Sequence, residues 1–243
     1  MNPKQEWVEK AKKNAAIEAV KHVKNGFTVG LGSGSTAAYA IEEIGKKMKR
    51  ERLDVQGVPT SYQAFMLAVQ HGIPATTLEE QPVVDLTIDG ADQIDPELNL
   101  IKGMGGALAR EKIVASASKK LIIIADENKK VKVLGENNQP VPLETLPFAA
   151  SLVMRRIKKM DGTPVLREGK MKVGPVITDN GNVIIDADFG PIHLPAELEH
   201  KLKSIPGILE TGLFAQMAEI AYIGKPSNVE KLIRKQASKL SDE

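Results

Sequence analysis

The sequence contains no cysteine. Disulfides, thiolate catalysis and cysteine-ligated zinc are thereby excluded together. Histidine is scarce, with four in 243 residues and no pair at a metal-ligand spacing. Aromatic residues make up 4%, too few to suggest a stacking platform for single-stranded nucleic acid. No apolar run approaches the ~20 residues that cross a bilayer. The N-terminal "MNPKQEWVEKAKKNAA" is charged and lacks the apolar centre of a signal peptide. An excess of one charge is missing too. The 33 Lys and Arg against 31 Asp and Glu leave +2, which gives no strong pull toward nucleic acid or an acidic membrane. The expectation is a soluble, cytoplasmic protein. An apolar content of 42% and this length suffice for one large domain or two modest ones.

What is present is an alternation of short β-like runs and helical patterns. "FTVGLG" (27–32), "VQGVPTS" (55–61), "VVDLTID" (83–89) and "LIIIAD" (121–126) read as strands. The intervening "STAAYAIEEIGKKMKR", "YQAFMLAVQHG" and "GGALAREKIVASASKK" read as helices. Strands that alternate with helices of this length predict βαβ units and a doubly wound, mostly parallel sheet. The apolar runs of the last two strands fit a sheet covered on both faces. After "DENKKVKVLG" the texture changes to "PVPLETL", "AASLVMRRIKKM", "PVLRE" and "GPVITDNGNVIIDADFG", followed by the helix "PAELEHKLKSI". The "DNG" between β-rich runs is a hairpin signal. A smaller α+β domain over 135–206 is expected, set into an α/β catalytic domain made of 1–134 and 207–243. The tail is expected to supply two short strands and a final helix that return to the larger domain. Phe65, Met66, Phe148 and Phe214 are expected in the core, and the four histidines in surface or capping roles.

Two glycine loops and an acidic strand end carry the chemistry. "VGLGSGSTAA" follows a strand and opens a helix. It lacks the third glycine of a dinucleotide fingerprint, where Ser35 stands, and the lysine of a Walker loop. Free amides at a helix N-terminus attract an anion, so a phosphate without a nucleotide fits best. A plain turn with Ser35 as the N-cap is the alternative. In "LIKGMGGALAREKI", Lys102 precedes Gly103, Gly105 and Gly106, and Glu111 falls early in the next helix, on its less polar side. Burial there raises a carboxylate pKa and suits a general base, whereas an ion pair with Arg110, Lys112 or another helix is the alternative use. Asp89 and Asp92 end a predicted parallel strand, the edge where open α/β sheets bind ligands. Asp85 lies within the strand, and Asp95, before Pro96, suits a turn. The spacing is wrong for a calcium loop, and a lysine beside the acids competes with magnesium. A proton-transfer set is the better reading, with no metal.

"GLGSGSTA", "TIDGADQID", "KGMGGALAREKI" and "ADENK", in this order and spacing, closely resemble the A-type ribose-5-phosphate isomerase family, as do "GPVITDNGNVIID" and "PGILETGLFA". The resemblance implies an aldose–ketose isomerase acting on ribose 5-phosphate and ribulose 5-phosphate, with no metal or organic cofactor. By position, it makes Glu111 the base that moves a proton between C1 and C2. It assigns Asp89 to ring opening and hydroxyl protons, and Lys102 to the enediolate oxygen. Ser33, Gly34, Ser35 and Thr36 resemble the phosphate loop. Gly90, Ala91, Asp92, Gly103, Met104 and Gly105 resemble the sugar-binding wall, with Lys129 and Lys12 as cationic contacts. Gln93 stands where the family often has an acid, and Met104 also departs from the common pattern. A homodimer or homotetramer is implied. The alternatives are an amino-sugar-phosphate isomerase-deaminase, against which "KGMGGALAREK" argues, and a sugar-phosphate-sensing domain without the Glu111–Lys102–Asp89 set.

Overall fold

The computed structural model describes residues 3–171 and 173–235. The chain begins with α1 (Pro3–Val20), β1 (Thr28–Leu31), α2 (Ser35–Glu51), β2 (Gln56–Pro59), α3 (Tyr62–His71) and β3 (Leu86–Gly90). Two short strands, β4 (Gln93–Ile94) and β5 (Leu100–Ile101), precede α4 (Leu108–Ser116), β6 (Leu121–Asp126) and β7 (Val141–Thr145). Then come α5 (Ala150–Lys158), β8 (Thr163–Leu166), β9 (Val183–Asp188), α6 (Pro195–Lys203) and β10 (Ile208–Thr211). The described chain ends with β11 (Leu213–Phe214), β12 (Ile220–Gly224) and β13 (Val229–Ile233).

The main sheet has the order β13-β12-β6-β3-β1-β2, parallel throughout except for β13 at its edge. The unbroken apolar run of β6 follows from its place near the middle. Ile122 and Ile124 join the core under α1, α2 and α3, while Leu121, Ile123 and Ala125 join the core on the opposite face. That second face is covered by α4 and by the small sheet β11-β5-β4, through Ala115, Ile94, Leu100 and Phe214. Alanines at 11, 15, 16 and 19 let α1 lie close to the strands. The approach is so tight that a Cβ on Gly224 would meet the Ala11 carbonyl at 1.9 Å. A separate antiparallel sheet, β10-β7-β9-β8, packs against α5 and α6. It takes in 208–211, beyond the 135–206 limits drawn from sequence. The "DNG" turn forms, with Thr178 N donating to Asn182 O at 2.9 Å and Gly181 at φ +80°.

The structure differs from the sequence reading in three places. Val229–Ile233 is a strand paired with β12, not the start of a final helix. Pairing along the sheet edge outweighs the weak helical pattern of those residues, and 236–243 lie outside the described residues. The helix predicted from Gly105 starts only at Leu108, because Gly103 and Gly106 have positive φ. Phe65 and Met66 are exposed at 44% and 69%, and Phe148 is fully exposed; of the four only Phe214 is core.

The strand order also locates the crevice. From β1 the chain moves to β2 on one side, then returns to place β3 on the other. The loops after β1 and β3 therefore diverge, and a ligand site opens between them at the C-terminal strand ends.

Candidate active site

Leu31 pairs with Ile88, so Gly32 lies alongside Asp89. A Cβ on Gly32 would sit 2.2 Å from Asp89 Oδ1, the atom that accepts the Ser33 amide at 3.1 Å. Only glycine permits that contact. Gly34, at φ +93°, is the N-cap of α2 and Ser35 the first helical residue, so the alternative of Ser35 as cap does not hold. The Ser33 hydroxyl points to Thr60 Oγ1 (2.7 Å) and Ser61 Oγ (2.6 Å), and the Gly34 amide donates to Gln63 Oε1 at 2.9 Å. The amides of Ser35 and Thr36, in the first turn, have no acceptor within the helix and carry its positive end. Lys12, on α1, donates to Ser35 Oγ at 3.1 Å and to Glu9 at 2.9 Å. Glu9 in turn accepts from Tyr39, whose pKa it pushes up to about 12, so the cation is tied in place. Helix-start amides and a fixed ammonium give this corner a positive potential.

At the end of β3 lies a buried triad. Lys102 Nζ stands 3.0 Å from Asp89 Oδ2, 3.2 Å from Glu111 Oε1 and 2.6 Å from the Gly90 carbonyl. Asp89, Lys102 and Glu111 are all buried. Asp89 Oδ1 also accepts the Gly90 amide at 2.7 Å, whereas Glu111 Oε2 is buried without a donor among the described residues. One ammonium between two carboxylates leaves one excess negative charge out of water. Burial, with the Asp89 carboxylate adding to it and Lys102 offsetting part, pushes Glu111 up to about 8 from 4.5. Burial opposes the Lys102 charge as well, but Asp89 and then Glu111 outweigh it and hold that amine above its ordinary value. The partners shift in the same numerical direction for this reason: the amine faces two opposite charges, while Glu111 faces one of each sign. Neither neighbour on α4 is the partner of Glu111, since Arg110 bonds Asn180 and Asp179 and Lys112 pairs with Glu199 and Glu210; its ion pair is with Lys102.

The glycine loop is held from the antiparallel sheet. Arg167 pairs with Asp186 and donates to the Gly103 and Met104 carbonyls, each at 3.0 Å. Asp92 Oδ2 accepts the Met104 amide at 3.0 Å. The anion corner, the triad and this loop surround one cleft of about 500 Å³.

The sequence model for ribose 5-phosphate isomerase A (phosphoriboisomerase A) matches residues 56–228. A ribose-5-phosphate isomerase A of Methanosarcina acetivorans is 48% identical over 93% of this chain and 94% of its own. Its Pyrococcus horikoshii counterpart is 46% identical over 93% and 99%. The chain belongs to the ribose 5-phosphate isomerase A family. Among solved structures, the isomerase of Methanocaldococcus jannaschii superposes with a TM-score of 0.89 at 45% identity, covering 93% of this chain and 99% of that one. A D-ribose-5-phosphate isomerase in complex with phospho-erythronic acid superposes at 0.91, also at 45% identity over 93% and 99%. This chain interconverts ribose 5-phosphate and ribulose 5-phosphate.

Most residues singled out from the isomerase sequence converge on the cleft. Lys12, Ser33, Gly34, Ser35, Thr36, Gly90, Ala91, Asp92, Lys102, Gly103, Gly105, Glu111 and Lys129 line it. Asp89 and Met104 do not. Asp89 sits behind Lys102 with both oxygens engaged, and the Met104 sulfur lies 3.7 Å from Arg167 Nη2. Ser61, Gln63, Asp126, Asn128, Thr178 and Asp179 line the cleft without having been singled out. Asp126 was findable, since it ends a buried parallel strand as Asp89 nearly does. Thr178 and Asp179 lie in the "TDNGN" hairpin signal, which says nothing local about a cleft. Asp95 makes the expected turn, its carboxylate bonding Asn99 at 2.8 and 2.9 Å. No described helix is long and apolar enough to cross a membrane.

Proposed function

We propose that Glu111 carries one proton between C2 and C1 of open-chain ribose 5-phosphate, with Lys102 holding the charge that develops. Glu111 takes the C2 proton. The electron pair left behind forms the C1–C2 double bond, and the C1 carbonyl pair moves onto O1, where an ammonium at that position stabilises it. The O2 proton passes to O1, the C2 carbonyl forms, and Glu111 returns its proton to C1. The observation that carries this reading is Glu111 Oε2, buried in the cleft wall with no donor among the described residues and on a carboxyl whose pKa is already raised. Asp89 keeps Lys102 charged and aimed. Asp92, which lines the cleft, is the carboxylate that meets sugar hydroxyls, and Lys129 adds a cation at the cleft edge. The phosphate sits at Ser35 and Thr36 with Lys12. The relative that bound phospho-erythronic acid, a phosphorylated sugar acid, supports a sugar phosphate as the ligand.

A coupled assay for ribulose 5-phosphate, run on ribose 5-phosphate against other pentose and hexose phosphates, tests the reading; equal turnover of a hexose phosphate would defeat it. Lys12→Ala should raise KM for ribose 5-phosphate about tenfold, through loss of one charge-assisted contact, and leave kcat nearly unchanged. An unaltered KM would move the phosphate elsewhere. Chelation with EDTA should leave the rate as it was, because an ammonium already fills the place between the two carboxylates. Loss of activity restored by a divalent ion would reverse that. The exposed stripe Tyr62, Phe65, Met66 and Val69 on α3 supports a homodimer or homotetramer, to be read by light scattering.

A further inference from the structure

Glu144 takes no part in the chemistry above, yet it is a fully buried carboxylate on β7. Its Oε1 accepts three hydrogen bonds, from Thr178 Oγ1, Asn180 Nδ2 and Asn182 Nδ2, each at 2.9 Å. Its Oε2 is buried without a partner among the described residues. All three donors belong to the "TDNGN" turn, where Thr178 and Asp179 line the cleft. The tip of that turn is fastened on its far side as well. Asp179 Oδ2 accepts the Tyr62 amide, at the start of α3, at 2.8 Å. Arg110 donates to Asn180 Oδ1 at 2.7 Å and to the Asp179 carbonyl at 2.9 Å. Arg110 adjoins Glu111 on α4, and Tyr62 adjoins the cleft residue Ser61. The turn is thus a strap from the antiparallel sheet to two walls of the cleft in the parallel one.

We propose that Glu144 is a positioning residue for the isomerisation: it sets the Thr178–Asn182 strap across the cleft, which forms one wall for the sugar phosphate and steadies α4 through Arg110. The inference rests on the reading of this cleft as the sugar-phosphate site. Its physical basis is the charge. Three donors converging on one oxygen are held far better by a carboxylate than by an amide, because each bond is charge-assisted. A buried carboxylate with an idle oxygen is an expensive way to gain stability alone, since apolar packing does as well or better. What it supplies instead is a single geometry for the turn.

The test uses Glu144→Gln and, because a core change can disturb folding, Asp179→Ala at the exposed tip. Steady-state kinetics on ribose 5-phosphate, thermal melting and amide exchange are measured. Each variant is expected to raise KM about tenfold and keep kcat within about threefold, with the rise of activity with pH that Glu111 governs left in place. In the wild type, ribose 5-phosphate should slow amide exchange across residues 176–182. An unchanged KM in both variants, with an active wild type, overturns the strap, and a lowered Tm alongside would reduce it to a fastening. A fall in kcat with a displaced pH profile also overturns it, by moving Glu144 into the chemistry. A wild type inactive on ribose 5-phosphate would bring down both this inference and the reading beneath it.

Discussion

Glu111→Gln is expected to bind ribose 5-phosphate with nearly native KM and to turn it over about 10³-fold more slowly, since an amide cannot accept the C2 proton. The side chain keeps its shape, and the amide can still accept from Lys102, which stays paired with Asp89. The wild type should show kcat/KM climbing with pH through a midpoint near 8 and levelling only above it, as the free carboxyl gives up its proton. The variant's residual rate should not follow that curve. The same substitution should add stability at high pH. Between 4.5 and about 8 the folded chain holds a proton at Glu111 that the unfolded chain has released. Stability therefore falls as pH rises through this window, and the charged form is a burden above it. Removing the charge should raise stability at pH 9 by on the order of 1 kcal/mol, and bring no gain below pH 4. Near-native turnover by Glu111→Gln, or a flat kcat/KM profile from pH 6 to 9, would take this residue out of the mechanism.

Lys102→Met should affect both activity and stability. Loss of the ammonium at the enediolate oxygen should lower kcat by about 10²–10³-fold. It also leaves Asp89 and Glu111 buried without their shared counter-ion. Breaking a buried pair in this way costs about 3–5 kcal/mol, enough to drop Tm by on the order of 10 °C for a chain of this size. The fold would respond by protonating Glu111 more firmly, so any remaining activity should need a higher pH. A double variant, Lys102→Met with Glu111→Gln, should recover part of the lost Tm, because one unpaired charge has gone. Melting curves of the two single variants and the double one decide the point. Strict additivity would mean that the three groups do not act as one electrostatic unit.

Much of the triad was legible because its parts lie close along the chain. Lys102 and Glu111 are nine residues apart, joined by a glycine loop that turns directly into α4. Asp89 ends a strand whose apolar run marks it as central. The orientation of these groups was not legible. Asp89 looks like a substrate contact from its position, yet Gly32 brings the Ser33 amide onto it and Lys102 covers it. The strap was further out of reach. Arg110 and Asn180 are 70 residues apart, and nothing local to "TDNGN" says which wall it will cross. Phe65 and Met66 were misplaced for a related reason: α3 is apolar on both sides, and only the packed molecule reveals which side the sheet covers.

Local chemistry in the chain determined the alternating elements, the two glycine turns, the helix-dipole end at the start of α2 and the ionisable residues near the strand ends. Those depend on backbone conformations and residue types that neighbours along the chain impose. Folding alone decided that β3 returns beside β1 to open the crevice, that Glu111 loses water and gains Asp89 and Lys102 as neighbours, and that Glu144 draws a distant turn over the cleft. Burial and charge pairing arise between residues far apart in sequence, and they exist only once the two sheets have packed.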